Sequence, residues 1–321
     1  MKKIIPPTLS VVVPVFNEDK GIRSFHLSLI NHLSALSLTY EVIYCDDGSS
    51  DDSYEVIKNM SKTQSEVKLI KLSRNFGKEY ALTAGIAQAQ GDAIIMLDAD
   101  GQHPVSLIRQ FVKRWQENNK IVIGIRKAPA SRSVIHQWRS RLFYYLFNKI
   151  SGEKLIPDST DFRLIDKEVA QIFLSLTENN RITRGLIDWL GFERAFIEFE
   201  ANNRSYGEAT YSLRKLIQLG VNSFVSLSNV PLFLFGYLGT FITGASGIIG
   251  TVILVEQIIL RDPLAWNFTG TAMLSILILF LIGIVLMSQG MLALYISHIH
   301  TQAKRRPLYI IDHSRSVRLN K

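Results

Sequence analysis

The chain lacks the residues from which several common kinds of protein build their stability or their sites. Its 321 residues include one cysteine, Cys45, so no disulfide forms within the chain and a reducing compartment is expected. Cys45 lies in the apolar run EVIYCDD, which favours a packed thiol over a nucleophile. No spacing of histidine and cysteine is typical of a zinc site. The histidines His26, His32 and His103 are therefore predicted to be surface or packing residues.

Glycine-rich phosphate loops are also missing. Neither GxxxxGK[ST] nor GxGxxG occurs, so phosphates are not expected to be held by backbone amides alone. The first ten residues carry two lysines but no long apolar run, and we expect no signal peptide. After Gly270 the only acidic residue is Asp312, among six basic residues. Because this basic end follows an apolar segment, it favours membrane lipids with anionic headgroups, and no nucleic acid partner is expected.

Short apolar runs rich in valine and isoleucine alternate with longer segments of helical spacing between about Leu9 and Ile125. The runs mostly lack in/out alternation, as strands buried on both faces do. This order predicts an α/β domain with a mainly parallel sheet and helices on both faces. Ligands bind such sheets beyond the carboxyl ends of the strands. The predicted strands are LSVVVPV, YEVIYC, VKLIKL, DAIIML and KIVIGI.

The region from about Lys127 to Ser228 is predicted to be more helical and more basic. It contains the amphipathic segments SVIHQWRSRLFYYLFNKI and YSLRKLIQLGVNSFVSLSNV. Helices of this kind often lie in a membrane interface, and the apolar stretch that follows favours that interpretation. Core-facing helices of a soluble domain are the alternative.

Two long apolar stretches follow, at about 231–256 and 271–297. Each exceeds the ~20 residues needed to cross the hydrocarbon core, and a short connector makes them a two-helix transmembrane hairpin. The surrounding basic residues place both chain ends in the cytoplasm at the inner membrane. We therefore predict a cytoplasmic domain over residues 1–228, the hairpin over 229–300 and a basic cytoplasmic tail over 301–321. Small residues in the first stretch permit a homo-oligomer.

Two carboxylates, Asp98 and Asp100, follow the apolar run DAIIML one residue apart. Carboxylates this close repel each other, and one usually protonates or finds a cation. An acidic turn in water is the alternative. The polar loops after the other strands favour Mg²⁺ or Mn²⁺, which takes oxygen ligands and shares them with substrate phosphates. Gln102 offers a further amide oxygen.

Seven longer motifs occur along the chain: VVVPVFNE, DDGSSDDS, LSRNFGKEYAL, LDADGQHP, DSTDFRLID, NNRSYGEATYSLRKL and KRRPLYI. Together they resemble the family-2 glycosyltransferases that act on polyprenyl phosphates, and the hairpin resembles the bacterial undecaprenyl-phosphate branch. The resemblance implies a GT-A, Rossmann-like fold. It also implies inverting transfer of a hexose, with glucose from UDP-glucose the first choice, from a nucleotide-sugar donor to a polyprenyl phosphate acceptor.

The resemblance further implies which residues would bind the nucleotide. Pro14, Phe16 and Glu18 would line the nucleotide pocket. Asp47, or its neighbour Asp46, would accept a hydrogen bond from the base.

A second set of residues would lie at the reacting groups. Asp98 would sit at the sugar diphosphate, with Asp100 and Gln102 as metal ligands. Asp161 would lie near the reacting centre, with a role as catalytic base left open. The phosphate-facing arginines would be Arg126, Arg139 and Arg204, because a guanidinium matches phosphate oxygens.

Two other functions remain open from the sequence. One is an enzyme of the same fold that uses another sugar or a polysaccharide acceptor. The other is a catalytically degenerate membrane partner of a lipid-sugar flippase, against which the intact pair at Asp98 and Asp100 argues.

Overall fold

A computed structural model of the protein describes residues 8–127, 159–178, 181–200, 270–304 and 306–319, with residues 248 and 255 between them. These residues belong to two compact units. The first contains the sheet described below and the C-terminal residues from Arg306; the second contains the helix at 270–303. The predicted interfacial helices and the arginines Arg139 and Arg204 lie outside the described residues, as does the first predicted membrane span apart from residues 248 and 255.

A seven-stranded sheet forms the centre of the first unit, in the order β3-β2-β1-β4-β6-β5-β7. The five apolar runs of the sequence are its first five strands, and β1 to β4 pair in parallel. The prediction of a mainly parallel α/β sheet is therefore confirmed. The strands are β1 (Leu9–Val15), β2 (Tyr40–Asp46), β3 (Val67–Lys71), β4 (Ala93–Met96), β5 (Ile121–Arg126), β6 (Ser159–Asp166) and β7 (Arg194–Phe199).

Two strands occur in the region that the sequence predicted to be more helical than the first part of the chain. β6 lies between β4 and β5 and runs antiparallel to both, whereas β7 pairs in parallel with β5 at the sheet edge. A charged residue in the middle of β6, Arg163, interrupts the apolar run by which a buried strand is recognised in a sequence. The helical prediction for this part of the chain was wrong at these two segments.

Helices cover both faces of the sheet, as expected. One core cluster joins β-strand residues such as Val11 and Val13 to α1, α2 and α4, and the other joins Val12 to α3, α5 and α6. Successive residues of β1 thus enter opposite cores, as the two-residue period of a strand requires. The helices are α1 (Ile22–Ser34), α2 (Ser53–Thr63), α3 (Lys78–Gln88), α4 (Ile108–Gln116), α5 (Lys167–Ser175), α6 (Thr183–Trp189) and α7 (Gly270–Ala303).

The second unit contributes one long described helix, α7, which has 34 residues. It covers the second predicted membrane segment, so the helical prediction there is confirmed. Over the residues that the structure describes, however, no helix is found to be both long and apolar enough to cross a membrane.

The buried charge of Arg163 is compensated by Asp188 of α6. The guanidinium Nη1 lies 2.7 Å from Asp188 Oδ1, and the two side chains are 1% and 7% exposed. Further bonds run from Arg163 Nε to the carbonyl of Thr160 and from Nη1 to the carbonyl of Arg184. A buried ion with this many partners holds β6 in place, but becomes costly when its counter-ion is lost.

We expect Asp188→Asn to lower the free energy of unfolding by about 2 kcal/mol, because a neutral amide replaces the acceptor of a charged hydrogen bond. Denaturant unfolding of the purified chain measures the change. Asp92→Asn, at an exposed carboxylate near the start of β4, is the matched control. A change for Asp188→Asn no larger than that of the control would contradict the assigned role of the pair.

Candidate active site

Three charged side chains meet at the carboxyl end of the parallel strands. Lys78, the first residue of α3, places its ammonium 2.6 Å from Asp98 Oδ1 and 2.7 Å from Asp161 Oδ2. Asp98 follows β4, and Asp161 lies near the start of β6. One cation thus joins two carboxylates that are 63 positions apart in the sequence.

The strand register explains why these carboxylates meet. β4 and β6 are antiparallel, with Ala93 opposite Asp166 and Met96 opposite Arg163. Two residues beyond Met96, the same register brings Asp98 level with Asp161. Because β6 runs against its neighbours, its first residues lie at the edge where the parallel strands end.

Lys78 and Asp161 stabilise each other's charge. Burial alone would lower the pKa of Lys78, but the carboxylates of Asp98 and Asp161 outweigh burial and raise it above its usual value. Burial alone would raise the pKa of Asp161, but Lys78 and Arg184 outweigh burial and hold it below its usual value. Both groups are therefore charged at neutral pH, and the cluster combines fixed positive and negative charge.

His103 supports the loop that carries the paired aspartates. It is buried, stacks on Phe162 with ring centroids 5.2 Å apart, and accepts the backbone N–H of Asp98 at Nδ1, 3.1 Å away. Burial lowers the pKa of His103, which keeps the ring neutral and Nδ1 able to accept. The prediction of a packing histidine is confirmed, and its contact with Asp98 was not foreseen.

Asp98 and Asp100 offer the oxygen ligands that a hard divalent cation prefers. Asp100 Oδ1 accepts the backbone N–H of Gln102 at 3.0 Å, which closes the turn around Gly101. Gly101 has φ +75°, the left-handed region that favours glycine. Among the described residues there is no group of three or more histidine, cysteine or acidic side chains that could hold a metal. Two carboxylates suffice for a cation that takes its remaining ligands from water and substrate phosphates, so the residues fit Mg²⁺ or Mn²⁺.

The loops after β1 and β2 are bound to each other. Asn17 N–H donates to Ser49 Oγ at 3.0 Å, and Ser50 N–H donates to Asn17 Oδ1 at 2.9 Å. Glu18 N–H donates to the hydroxyl of Ser53 at 2.8 Å. These contacts make one polar wall from the two loops in which the sequence predicted a nucleotide pocket.

Asp46 and Asp47 are both buried and both engaged with protein groups. Asp46 forms an ion pair with Lys71, at 2.7 Å between Oδ2 and Nζ. Asp47 accepts the backbone N–H groups of Phe76 and Gly77 at 2.7 and 2.8 Å. Burial raises the pKa of Asp47, an effect that these two amides oppose.

Gly48 allows the loops after β2 and β3 to approach closely. It has φ +76°, and a Cβ there would lie 2.6 Å from the backbone of both Arg74 and Asn75. Any other residue would force these loops apart. In the sequence DDGSS, the glycine therefore allows this close backbone contact, and the two aspartates supply carboxylates.

A cavity of about 210 Å³ lies between the start of α1 and the paired-aspartate loop. Its lining includes Glu18, Asp100 and His103. Glu18 and Asp100 thus line one space, although 82 positions separate them.

The remaining predicted residues that the structure describes differ in their burial. Pro14 is half-buried in β1, Phe16 is 47% exposed, and Arg126 is exposed at the end of β5. Lys78 was missed from the sequence, although it is the first residue of a helix that follows one of the polar strand-end loops. Cys45 is fully buried, and burial raises the pKa of its thiol, which confirms a packed core residue.

Comparison with known proteins identifies the family of this chain. Residues 10–173 match the model of glycosyl transferase family 2. The chain belongs to this family, as the sequence motifs suggested.

Relatives align with the chain over nearly its whole length. An uncharacterized glycosyltransferase of Synechocystis sp. is 33% identical over 304 residues, which cover 95% of this chain and 94% of the relative. The bactoprenol glucosyl transferase of Shigella phage SfV is 31% identical over 307 residues, or 96% of this chain and 99% of the relative. A prophage bactoprenol glucosyl transferase homolog of Escherichia coli is 31% identical over 303 residues, or 94% and 98%.

Solved structures resemble the chain more distantly. The mannosyltransferase of Pyrobaculum calidifontis with GDP-Man and Mn²⁺ has a TM-score of 0.44 and 16% identity, over 64% of this chain and 59% of that one. Glucosyl-3-phosphoglycerate synthase of Mycobacterium tuberculosis has a TM-score of 0.43 and 19% identity, over 65% and 74%. Similarities of this size carry no argument about ligands.

Proposed function

We propose that this chain transfers a hexose from a nucleotide-sugar to a polyprenyl (undecaprenyl) phosphate at the cytoplasmic leaflet, with glucose from UDP-glucose as the first donor to test. The observation that carries the proposal is the cluster of Asp98, Lys78 and Asp161 at the carboxyl end of the sheet. The lipid acceptor is supported by the relatives named bactoprenol glucosyl transferase, which align over nearly the whole chain.

The reaction requires positive charge more than a strong base. An oxygen of the acceptor phosphate, already anionic at neutral pH, forms a bond to the anomeric carbon. The bond from that carbon to the donor diphosphate breaks, and its electron pair leaves with the nucleoside diphosphate, so the configuration inverts. Lys78 supplies a fixed ammonium where the anionic donor and acceptor would meet, and Asp161, held by that ammonium, would orient the reacting groups.

Other residues of the proposal bind and orient the substrates. Pro14, Phe16 and Glu18 would line the nucleotide pocket, with Asp47 or Asp46 at the base. Arg126, Arg139 and Arg204 would hold phosphate oxygens through their guanidinium groups.

Mg²⁺ or Mn²⁺ would be held by Asp98, Asp100 and Gln102. When bound, the ion neutralises charge on the departing diphosphate as a Lewis acid. Lys78 Nζ lies 2.6 Å from Asp98 Oδ1, and an ionised carboxylate has about four lone-pair sites, so Asp98 keeps further capacity to accept.

The membrane arrangement is part of the same proposal. Two spans, at about 231–256 and 271–297, would hold the catalytic domain (1–228) and the tail (301–321) at the cytoplasmic side, as the lack of charge through the middle of each span and the basic flanks suggest. Several large apolar side chains of α7 are exposed, as lipid-facing residues would be: Leu274, Leu281, Val285, Leu292 and Ile296.

Membranes that contain the chain, incubated with radiolabelled UDP-glucose, UDP-N-acetylglucosamine or GDP-mannose, test the proposal. Each donor is tried with and without Mn²⁺, and the products are extracted with organic solvent. We expect label from UDP-glucose in the lipid phase, in a metal-dependent manner. Label only in polymer would favour the polysaccharide acceptor, and no label from any donor would favour the degenerate membrane partner.

A further inference from the structure

The C-terminal segment, residues 306–319, lies along the free edge of β3. Leu69 and Val317 exchange two backbone hydrogen bonds of 3.2 and 2.8 Å, and a second antiparallel bridge joins Leu72 to Ile311. These contacts cover an edge that would otherwise expose unpaired backbone groups. The apolar side chains of the segment that pack against the two cores are Tyr309, Ile311, Val317 and Leu319.

Between its two bridges the C-terminal segment holds both backbone groups of Lys71. The N–H of Asp312 donates to the carbonyl of Lys71 at 2.8 Å, and the N–H of Lys71 donates to Ser316 Oγ at 2.9 Å. The side chain of Lys71 extends to Asp46, and this ion pair is almost fully buried. The segment therefore fixes the residue that forms the ion pair with the side chain of Asp46.

Asp46 in turn shapes the loop that follows β2. Its Oδ1 accepts the N–H of Ser49 at 2.8 Å, and Lys71 Nζ lies 3.5 Å from the carbonyl of Ser49. The hydroxyl of Ser49 accepts the N–H of Asn17, which joins this loop to the one after β1. A continuous series of contacts thus runs from the C-terminal segment to both loops of the predicted nucleotide pocket.

The ring of Tyr54 adds a second connection. Its hydroxyl donates to the carbonyl of Arg315 at 3.0 Å. The guanidinium of Arg315 lies 4.4 Å from the ring centroid, and the ammonium of Lys71 lies 5.2 Å from it. Cation–π contacts of this kind stabilise the segment where it passes the buried ion pair.

We propose that the C-terminal segment is a positioning element of the donor site, which sets the loop at residues 46–53 through Lys71 and Asp46. The inference rests on the proposed function in one respect, namely that this loop binds the nucleotide. Detachment of the segment loosens the loop and weakens nucleotide binding, while the charged cluster around Lys78 stays intact. Donor affinity then falls without an equal loss in turnover.

The full-length double variant Ser316→Ala with Arg315→Ala tests the proposal. We expect the dissociation constant for UDP in the presence of Mn²⁺, and the KM for the donor, to rise about fivefold to tenfold, because a half-buried hydrogen bond and a cation–π contact are lost. The kcat should change less than twofold. Backbone hydrogen exchange should become faster at 46–53 as well as at 306–319.

Arg318→Ala is the matched control, because Arg318 belongs to the same segment but binds the carbonyls of Gln64 and Val67. It should loosen the end of the segment and leave UDP affinity unchanged. The single variant Arg315→Lys, which retains Ser316, should bind UDP with the native affinity because it keeps a cation over the ring of Tyr54.

Faster exchange confined to 306–319, with unchanged exchange at 46–53 and unchanged UDP affinity, would overturn the proposal and leave the segment as a cover for the sheet edge. If the native chain binds neither UDP nor GDP, the proposed function fails instead. Exchange at 46–53 in the double variant then still decides whether the segment positions that loop.

Discussion

Replacing Lys78 with methionine is expected to lower the rate of glycosyl transfer about a hundredfold, the typical cost of removing one group that stabilises charge in a reacting site. Methionine keeps much of the length of the side chain and removes the ammonium that contacts Asp98 and Asp161. The two carboxylates then repel each other and the anionic donor. Initial rates of glycolipid formation at saturating donor measure the effect.

A second measurement separates this role from a merely structural one. Lys78→Met frees Asp98 Oδ1, so binding of Mn²⁺ should be retained or tightened while the transfer rate falls. Lys62→Met, at an exposed position of α2, is the matched control and should leave both quantities unchanged. Lys78→Arg should recover part of the rate, since a guanidinium keeps the charge but not the length.

A double-mutant cycle tests whether Lys78 acts through Asp161. If the two residues form one unit, Lys78→Met combined with Asp161→Asn should cost much less than the sum of the two single changes, since contacting residues are not additive. Normal turnover in Lys78→Met would remove this residue from the mechanism. Full additivity would mean that the ion pair has no part in the reaction.

The sequence predicted the parallel strands and their polar ends well because each strand is a local signal. Runs such as LSVVVPV and DAIIML are apolar throughout, and Asp98 and Asp100 follow directly from the end of one of them. Burial on both faces of the sheet leaves such a run with few other possible structures.

The meeting of Asp98, Lys78 and Asp161 was not predictable in the same way. It depends on the antiparallel direction of β6 in the sheet, which no local sequence pattern predicts. The strand β6 itself was not predicted, because the charge of Arg163 interrupts its apolar run. That charge is tolerated only because Asp188, 25 residues later, lies beside it. The C-terminal segment and β3 are separated by an even greater distance in the sequence, since Lys71 and Ser316 are 245 positions apart.

The paired aspartates should have the largest effect of all. Alanine at both Asp98 and Asp100 is expected to abolish glycolipid formation, by more than about a thousandfold, because the proposed metal ligands and one carboxylate partner of Lys78 are lost together. Asp92→Ala is the matched control, at the opposite end of the same strand.

Asp100→Asn separates the two losses. This change leaves the contact between Asp98 and Lys78 in place, so a large fall in rate together with weaker Mn²⁺ binding would assign the effect to the metal. Chelation of the native enzyme with EDTA should reproduce that fall, and added Mn²⁺ should reverse it. Undiminished glycolipid output after chelation, or in the double alanine variant, would contradict a metal-dependent transfer at this loop.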